Sequence, residues 1–499
     1  MNKFASRNIY FSVIFTIFVV FIRLPLFNRY MISTDEHTFL NIGHDVFKGH
    51  LPYMHLWDVK PPLLFMLMAP ISALAGHHFW VVRLIAAVCD TVTSLIAKGI
   101  ADRLYGERAA HWVCAVWCAV GLSMTPVGGA LMSETLSLPF LMGAAYVLAT
   151  DRLSPRAGFL AGLMLGAATL IRQLPAFPAL AVELALLAEA AVRRDPARLR
   201  VAVATGLGGG VVLVAVTLPY LAVPGGFDML YRTLVPAALG YAGGSSGATL
   251  LSMLLNCSRL LTVTLVVGVL GAIVGVLSNR RAAGGFRPQD VRLLVMFAAT
   301  LVAISVGQAW AYYLALPMAF AAVGAAPLLQ RLTDLAPPRA APAILAGVAV
   351  ILTVIAGRTI LERSQQPDPM AQTYAILRHR MGPGDTLYAT TDYALYWLLD
   401  RDPPHPIVTH AGCLFKPYVF RQLAFHLDTS EAVMRVIVAR RPTYIVFDDE
   451  DGPRYAAGTA VGRILQPVVR ADYERLPSPE HRMIFRLKAA AHPDRIGTL

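Results

Sequence analysis

Residues 34–62 read TDEHTFLNIGHDVFKGHLPYMHLWDVKPP. They concentrate Asp35, Glu36, Asp45, Asp58, Lys60 and four histidines, His37, His44, His50 and His55. An apolar run without charge, Ile9–Phe21, comes shortly before them. A long ionisable segment after such a run reads as an outer loop at a membrane interface. Loops of that kind are functional candidates by default. The plainer reading is a solvated loop that touches lipid headgroups.

Moving outward, the rest of the chain supports the membrane setting. Of 499 residues 56% are apolar and only 15% charged, with a mean hydropathy of +0.56. Soluble domains carry about 25% charged residues, so one large soluble domain is excluded. Phe79–Ala101, Val201–Ala222, Leu260–Leu277 and Ala340–Ala356 are further blocks nearly free of charge. A helix needs roughly 20 such residues to cross the hydrocarbon core.

The net charge of +12 invites a nucleic-acid reading, but its placement opposes one. Arg193, Arg194, Arg198 and Arg200 sit in one connection, and Arg280, Arg281, Arg287 and Arg292 in another. That is the positive-inside pattern of cytoplasmic loops. With the N-terminus inside, outer loops fall at 28–61 and 224–259, and everything after about 358 lies outside. Eleven spans satisfy this arrangement; thirteen do so if Pro62–Gly76 and one further short segment also cross. Lys3 and Arg7 precede the first apolar run without a small-residue cleavage site after it, so the run is read as a retained helix. Cys89, Cys114 and Cys118 lie in apolar segments and read as packing, and a Cys257–Cys413 disulfide is not favoured.

The last part reads differently. Thr386–Thr390 and Thr443–Phe447 have the composition of short strands, and Ser430–Ala439 reads as a helix feeding the second. The expected organisation is therefore an all-α polytopic membrane domain over 1–358 and a small α/β extracytoplasmic domain over 359–499.

Several motifs recur in a telling order. Asp35-Glu36 follows the first helix, then Gly49-x-Leu51-Pro52-Tyr53, then Trp57-Asp58-x-Lys60-Pro61-Pro62-Leu63. Ser133-Glu134 opens a helix after a short outer loop. Gly162-x4-Ala167-x3-Ile171-Arg172-Gln173 is glycine-rich with a basic end, and Tyr312-Tyr313-Leu314-x-Leu316-Pro317 comes late in the membrane part. This series resembles the protein O-mannosyltransferase superfamily, whose bacterial branch includes the aminoarabinose transferases. Those are integral-membrane glycosyltransferases of the GT-C fold. The resemblance covers about residues 5–330 well and the C-terminal domain only in outline.

The resemblance implies an inverting transfer of one sugar from a polyprenyl-phosphate donor. The acceptor is a glycolipid, glycan or protein outside the cytoplasm, and the enzyme sits in the bacterial inner membrane with its site on the periplasmic face. Asp35 matches the base position; a helix cap is its bland alternative. Lys60 matches a phosphate-holding lysine, against a snorkelling one. Arg172, Tyr312 and Tyr313 fall on the outer side as further phosphate ligands. Glu36 reads as an acceptor-positioning or structural partner, and Glu134 as a second acid or an interhelical partner. Arg232 and Arg259 flank the second outer loop, where they bind phosphate or anchor the loop to headgroups. No cofactor is certain. A divalent cation is compatible with the fold, with Glu36 and His37 as its candidate ligands, although the histidines lack the spacing of dedicated zinc sites. Two alternatives stand beside this reading: a flippase or transporter of lipid-linked sugars, and en bloc oligosaccharide transfer onto protein.

Overall fold

The computed structural model describes residues 3–123, 128–243, 255, 258–306, 310–337, 340–408, 410, 412–416, 429–448 and 452–489. The glycine-serine run at 244–247 and Cys257 lie outside them, while Cys413 is a buried free thiol. Helix α1 spans Lys3–Arg23. Where the sequence reads as a loop, Thr34–Phe47 forms helix α2. Its first turn carries Asp35 and Glu36, where a helix N-terminus favours negative charge. Helix α2 is enclosed almost all round, on its polar as well as its apolar side: Phe39, Leu40 and Ile42 are buried, and so are Glu36, His37 and Asn41. Gly43 is needed for contact, since a Cβ there would lie 2.6 Å from the Cβ of Met68.

Met68 belongs to helix α3, Pro62–Ala75, of 14 residues. At about 1.5 Å per residue it falls well short of a roughly 30 Å hydrocarbon core. Pro61 and Pro62 start it with an extended residue followed by a fixed φ. Helices α4 (Phe79–Tyr105), α5 (Glu107–Ser123), α6 (Ser133–Leu148), α7 (Pro155–Ile171), α8 (Ala176–Arg193) and α9 (Pro196–Leu221) follow. Among the described residues six helices are long and apolar enough to cross a membrane. They are α4, α9, Arg259–Ala283, Pro288–Ser305, Ala311–Asp334 and the stretch beginning at Ala343. The chain is a multi-pass membrane protein.

Within this half, helices approach through small residues, as lipid-embedded helices do. A Cβ at Gly162 of α7 would lie 2.0 Å from the Thr205 carbonyl oxygen of α9, and one at Gly271 would lie 2.2 Å from that of Gly324.

The C-terminal part forms a four-stranded sheet in the order β1-β2-β4-β3. Strand β1 (Leu387–Ala389) pairs in parallel with β2 (Tyr444–Asp448), with Ser430–Ala439 as a helix in the crossover. Strands β3 (Tyr473–Leu476) and β4 (Arg482–Leu487) complete it in antiparallel fashion. Their arginines and glutamate mask them in the sequence. One apolar cluster runs from Phe39, Trp57, Phe65 and Phe79 into Tyr388, Trp397, Ile445 and Ile484. The sheet therefore shares its core with α2 and α3.

Candidate functional site

Asp35 stands in the first turn of α2 and is only 8% exposed. Its carboxylate accepts hydrogen bonds from the Tyr312 hydroxyl at 3.3 Å and from His410 Nε2 at 3.0 Å. Tyr312 and Tyr313 lie in the short 3-10 turn Ala311–Leu314, which opens one of the long apolar helices. Burial alone would push the Asp35 carboxyl up. The His410 hydrogen bond and the charges of His410, Lys60 and Arg172 outweigh it and hold the group well below the usual carboxylate range.

Arg172 caps the C-terminus of α7 in extended backbone. Pro175 follows three residues on and cannot continue the helix. The guanidinium reaches Glu134 at 3.0 Å and the Ser133 hydroxyl at 3.0 Å, both in the first turn of α6. It also lies over the Tyr313 ring, 4.4 Å from the centroid. Its Nε is buried with no hydrogen-bond partner.

Lys60 precedes α3 and is 5% exposed. The Asp58 side chain accepts from its backbone N–H at 2.9 Å, and the Tyr53 hydroxyl donates to its carbonyl at 2.6 Å, so the loop is fixed at this residue. Among the described residues the ammonium itself makes no hydrogen bond or ion pair. Burial opposes its charge, but Asp58 in particular keeps the lysine above its ordinary value. His410 behaves similarly. Burial works against its imidazolium, yet Cys413, Asp58 and Asp35 raise it well above the usual histidine range.

The structure thus gathers Asp35, Lys60, Glu134, Arg172, Tyr312 and Tyr313 at one place. Glu36, next to Asp35, has a different environment. It is fully buried, pairs with Arg83 of α4 and accepts from the Leu131 backbone N–H at 2.6 Å. His37 bonds the Tyr30 carbonyl through Nε2 at 3.0 Å, and burial pushes its imidazole down to about 4. Glu36 and His37 belong to no convergent group of three metal-ligating side chains among the described residues. Arg232 pairs with Asp228 one turn away at 2.7 Å on an exposed surface, and Arg259 is exposed at the start of its helix. Among the described residues neither contacts Asp35, Lys60 or Arg172.

Two residues escaped the sequence reading. His410 comes from the C-terminal part, about 370 positions beyond Asp35, in a proline-rich stretch with no motif around it. Arg83 does carry a signal in the sequence: an arginine one turn inside an apolar helix needs a buried partner.

The comparisons agree with this architecture. Residues 59–221 match the family described as dolichyl-phosphate-mannose-protein mannosyltransferase. Among curated proteins, none matches the sequence of this chain. Among solved structures, ArnT from Cupriavidus metallidurans in the apo state superposes with a TM-score of 0.63 at 15% identity, covering 98% of this chain and 100% of that one. The same protein bound to undecaprenyl phosphate gives 0.62 at 15% identity, covering 97% and 99%. The archaeal oligosaccharyltransferase AglB from Archaeoglobus fulgidus, in complex with an inhibitory peptide and a dolichol-phosphate, gives 0.54 at 12% identity, covering 99% of this chain and 75% of that one. With its membrane helices, its short helices α2 and α3 and its C-terminal sheet, this chain has the GT-C fold.

Proposed function

We propose that the protein is an inverting glycosyltransferase that moves a single sugar from a polyprenyl-phosphate donor to an acceptor outside the cytoplasm. One observation carries the reading. Beside a buried carboxylate lie a buried ammonium, Lys60, that makes no ion pair among the described residues, and a guanidinium, Arg172, that is paired with Glu134 but keeps an unbonded Nε. Buried cations are rarely left so, and a phosphate supplies what they lack. An apolar cavity of about 340 Å³ between α7, α8 and α9 reaches Leu170, two residues from Arg172, and suits an isoprenoid chain. In this reading residues 1–358 form the membrane unit and 359–499 the extracytoplasmic one, in a bacterial inner membrane.

The reaction then follows from the charges. The acceptor hydroxyl oxygen attacks the anomeric carbon as its proton passes to Asp35. The bond from that carbon to the phosphate oxygen breaks, and the polyprenyl phosphate leaves against Lys60 and Arg172. A carboxylate held far below its usual range is a weak base. When the phosphate draws Lys60 and Arg172 to itself, Asp35 loses part of their stabilisation and its basicity rises. The donor would thus prime its own base. Glu134 holds Arg172 in place, and Tyr312 orients Asp35. The divalent cation contemplated for this site gains no support from Glu36, whose charge is matched by Arg83.

Carrier-lipid binding and sugar transfer, measured together on the purified protein, test the proposal. Lys60→Ala and Arg172→Ala should weaken donor binding by one to two decades, since a charged hydrogen bond is worth about 1.5–3 kcal/mol. Asp35→Asn should bind donor normally and lose roughly 10²–10⁴ in transfer rate. An Asp35→Asn protein that transfers sugar at near wild-type rate removes Asp35 as the base. A wild-type protein that moves lipid-linked sugar across vesicles without transferring it would favour the transporter. For orientation, a cysteine placed at 430 should label from outside intact cells and one at 284 should not; the reverse pattern would put the site on the wrong face.

A further inference from the structure

Asp45 lies in the last turn of α2, ten residues from Asp35 and therefore about 15 Å along the axis. It is 3% exposed. Its Oδ1 accepts from His50 Nδ1 at 2.7 Å and from His55 Nδ1 at 2.6 Å. The two imidazole rings face each other with centroids 4.7 Å apart. The second carboxylate oxygen, Oδ2, is buried and has no hydrogen-bond partner among the described residues. Three side chains thus bring one ligand atom each to within 4.8 Å of one another. No sequence motif announces this, because residues 45, 50 and 55 share no helix face. They converge because the chain reverses through Gly49, at φ +102°, and Tyr53, at φ +73°.

We propose that Asp45, His50 and His55 form a divalent-cation site of the zinc type, separate from the proposed transferase centre. Two imidazole nitrogens and one carboxylate oxygen suit zinc and its nitrogen-loving neighbours, whereas calcium and magnesium prefer oxygen alone. The histidine side chains are 50% and 41% exposed, which leaves the fourth position to water. Hydrogen bonding by the two rings satisfies one carboxylate oxygen and strands the other; a cation held between the three side chains neutralises the carboxylate as a whole. The bound ion would pin the 48–58 loop, which docks on the C-terminal part through the Trp57 N–H to the Pro406 carbonyl at 3.0 Å and leads on to Lys60. Nothing in this proposal depends on the sugar-transfer reading.

The test uses the full-length protein in detergent, stripped with chelator and titrated with CoCl₂ and with ZnCl₂, with MgCl₂ as control. Wild type should take up one equivalent of Co²⁺ with the visible absorption of a four-coordinate ion. ZnCl₂, but not MgCl₂, should raise its melting temperature. His50→Gln and His55→Gln, both at half-exposed positions, should each lower the affinity roughly tenfold or more, and Asp45→Asn should abolish the absorption. His44→Gln, one residue from Asp45, should change nothing. A wild-type protein without the cobalt absorption overturns the proposal. So does an unchanged absorption and affinity in the His50→Gln/His55→Gln protein, which would place the ion elsewhere.

Discussion

Helices α7 and α9 meet through glycine and main chain, whereas α2 adds polar bonds to the apolar core it shares with the C-terminal part. At the first join, Gly162 brings α7 so close to Thr205 that a single added carbon would sit 2.0 Å from a carbonyl oxygen. At the second, the Asn41 amide donates to the Tyr393 carbonyl at 2.8 Å, Lys48 and His44 share Asp400, and Asp35 meets His410. The difference follows from the solvent. Lipid offers helices no hydrophobic gain on association, so they depend on close packing. At the join with the C-terminal part, a buried bond such as Asn41 to Tyr393 adds directional holding, while an exposed one such as Lys48 to Asp400 competes with water and is worth little alone. The candidate site lies where the two kinds of join meet: cations from the close-packed half face a carboxylate on the polar seam.

The largest test of this contrast is Glu36→Gln. Glu36 and Asp35 are neighbours, yet the first belongs to the packed interior and the second to the seam. Removing the Glu36 charge strands Arg83, and a broken buried pair costs about 3–5 kcal/mol. Thermal unfolding should show that loss, while donor binding by the fraction that folds stays near wild type. Weak donor binding in a stable Glu36→Gln protein would move Glu36 into the site.

Next comes His410→Gln, which removes the contribution of the C-terminal part to Asp35. A charged hydrogen bond of about 1.5–3 kcal/mol is lost, so transfer should fall by one to two decades. The pH dependence sharpens this. Transfer needs ionised Asp35, so it persists above the Asp35 pKa and fades as pH falls through it. His410 holds that pKa down, so its loss raises the pKa and the acid limb of the pH–rate profile should move to higher pH. An unmoved limb would make His410 a purely structural contact.

Gly162→Ala tests the other join. The added methyl group must push α7 away from α9, at a cost of about 1–3 kcal/mol for overpacking. Gly210→Ala, where nothing lies within 4 Å of the new carbon, should be neutral or slightly stabilising in the same unfolding assay. Equal effects at the two glycines would deny the close approach its importance.

Lys48→Ala should have the smallest effect. Its bond to Asp400 at 2.8 Å is solvent-exposed, and such pairs contribute about 0.2–1 kcal/mol. Raising the salt concentration should erase the difference from wild type. A larger, salt-independent loss would mean that the seam is far stiffer than its individual bonds suggest.

The amino-acid sequence by itself determined the membrane class, the long apolar helices and the β1 and β2 strands with their connecting helix, and its motifs marked Asp35, Lys60, Glu134, Arg172, Tyr312 and Tyr313 as candidates. These are local properties: run length, charge placement and ordered short motifs survive in one dimension. Tertiary structure alone decided how neighbours part company. Asp35 and Glu36 are adjacent acids, and only the packing of α4 and of the segment bearing His410 gives Glu36 an arginine and Asp35 a histidine. Helix α2 reads as a loop because of its many ionisable residues, which only the folded chain encloses. His410 was invisible because its partner lies hundreds of residues away, and Asp45, His50 and His55 because a loop rather than a repeat brings them together. Arg232 and Arg259 show the converse: charge at a loop border says where the membrane ends, and the fold decides whether that charge reaches the site.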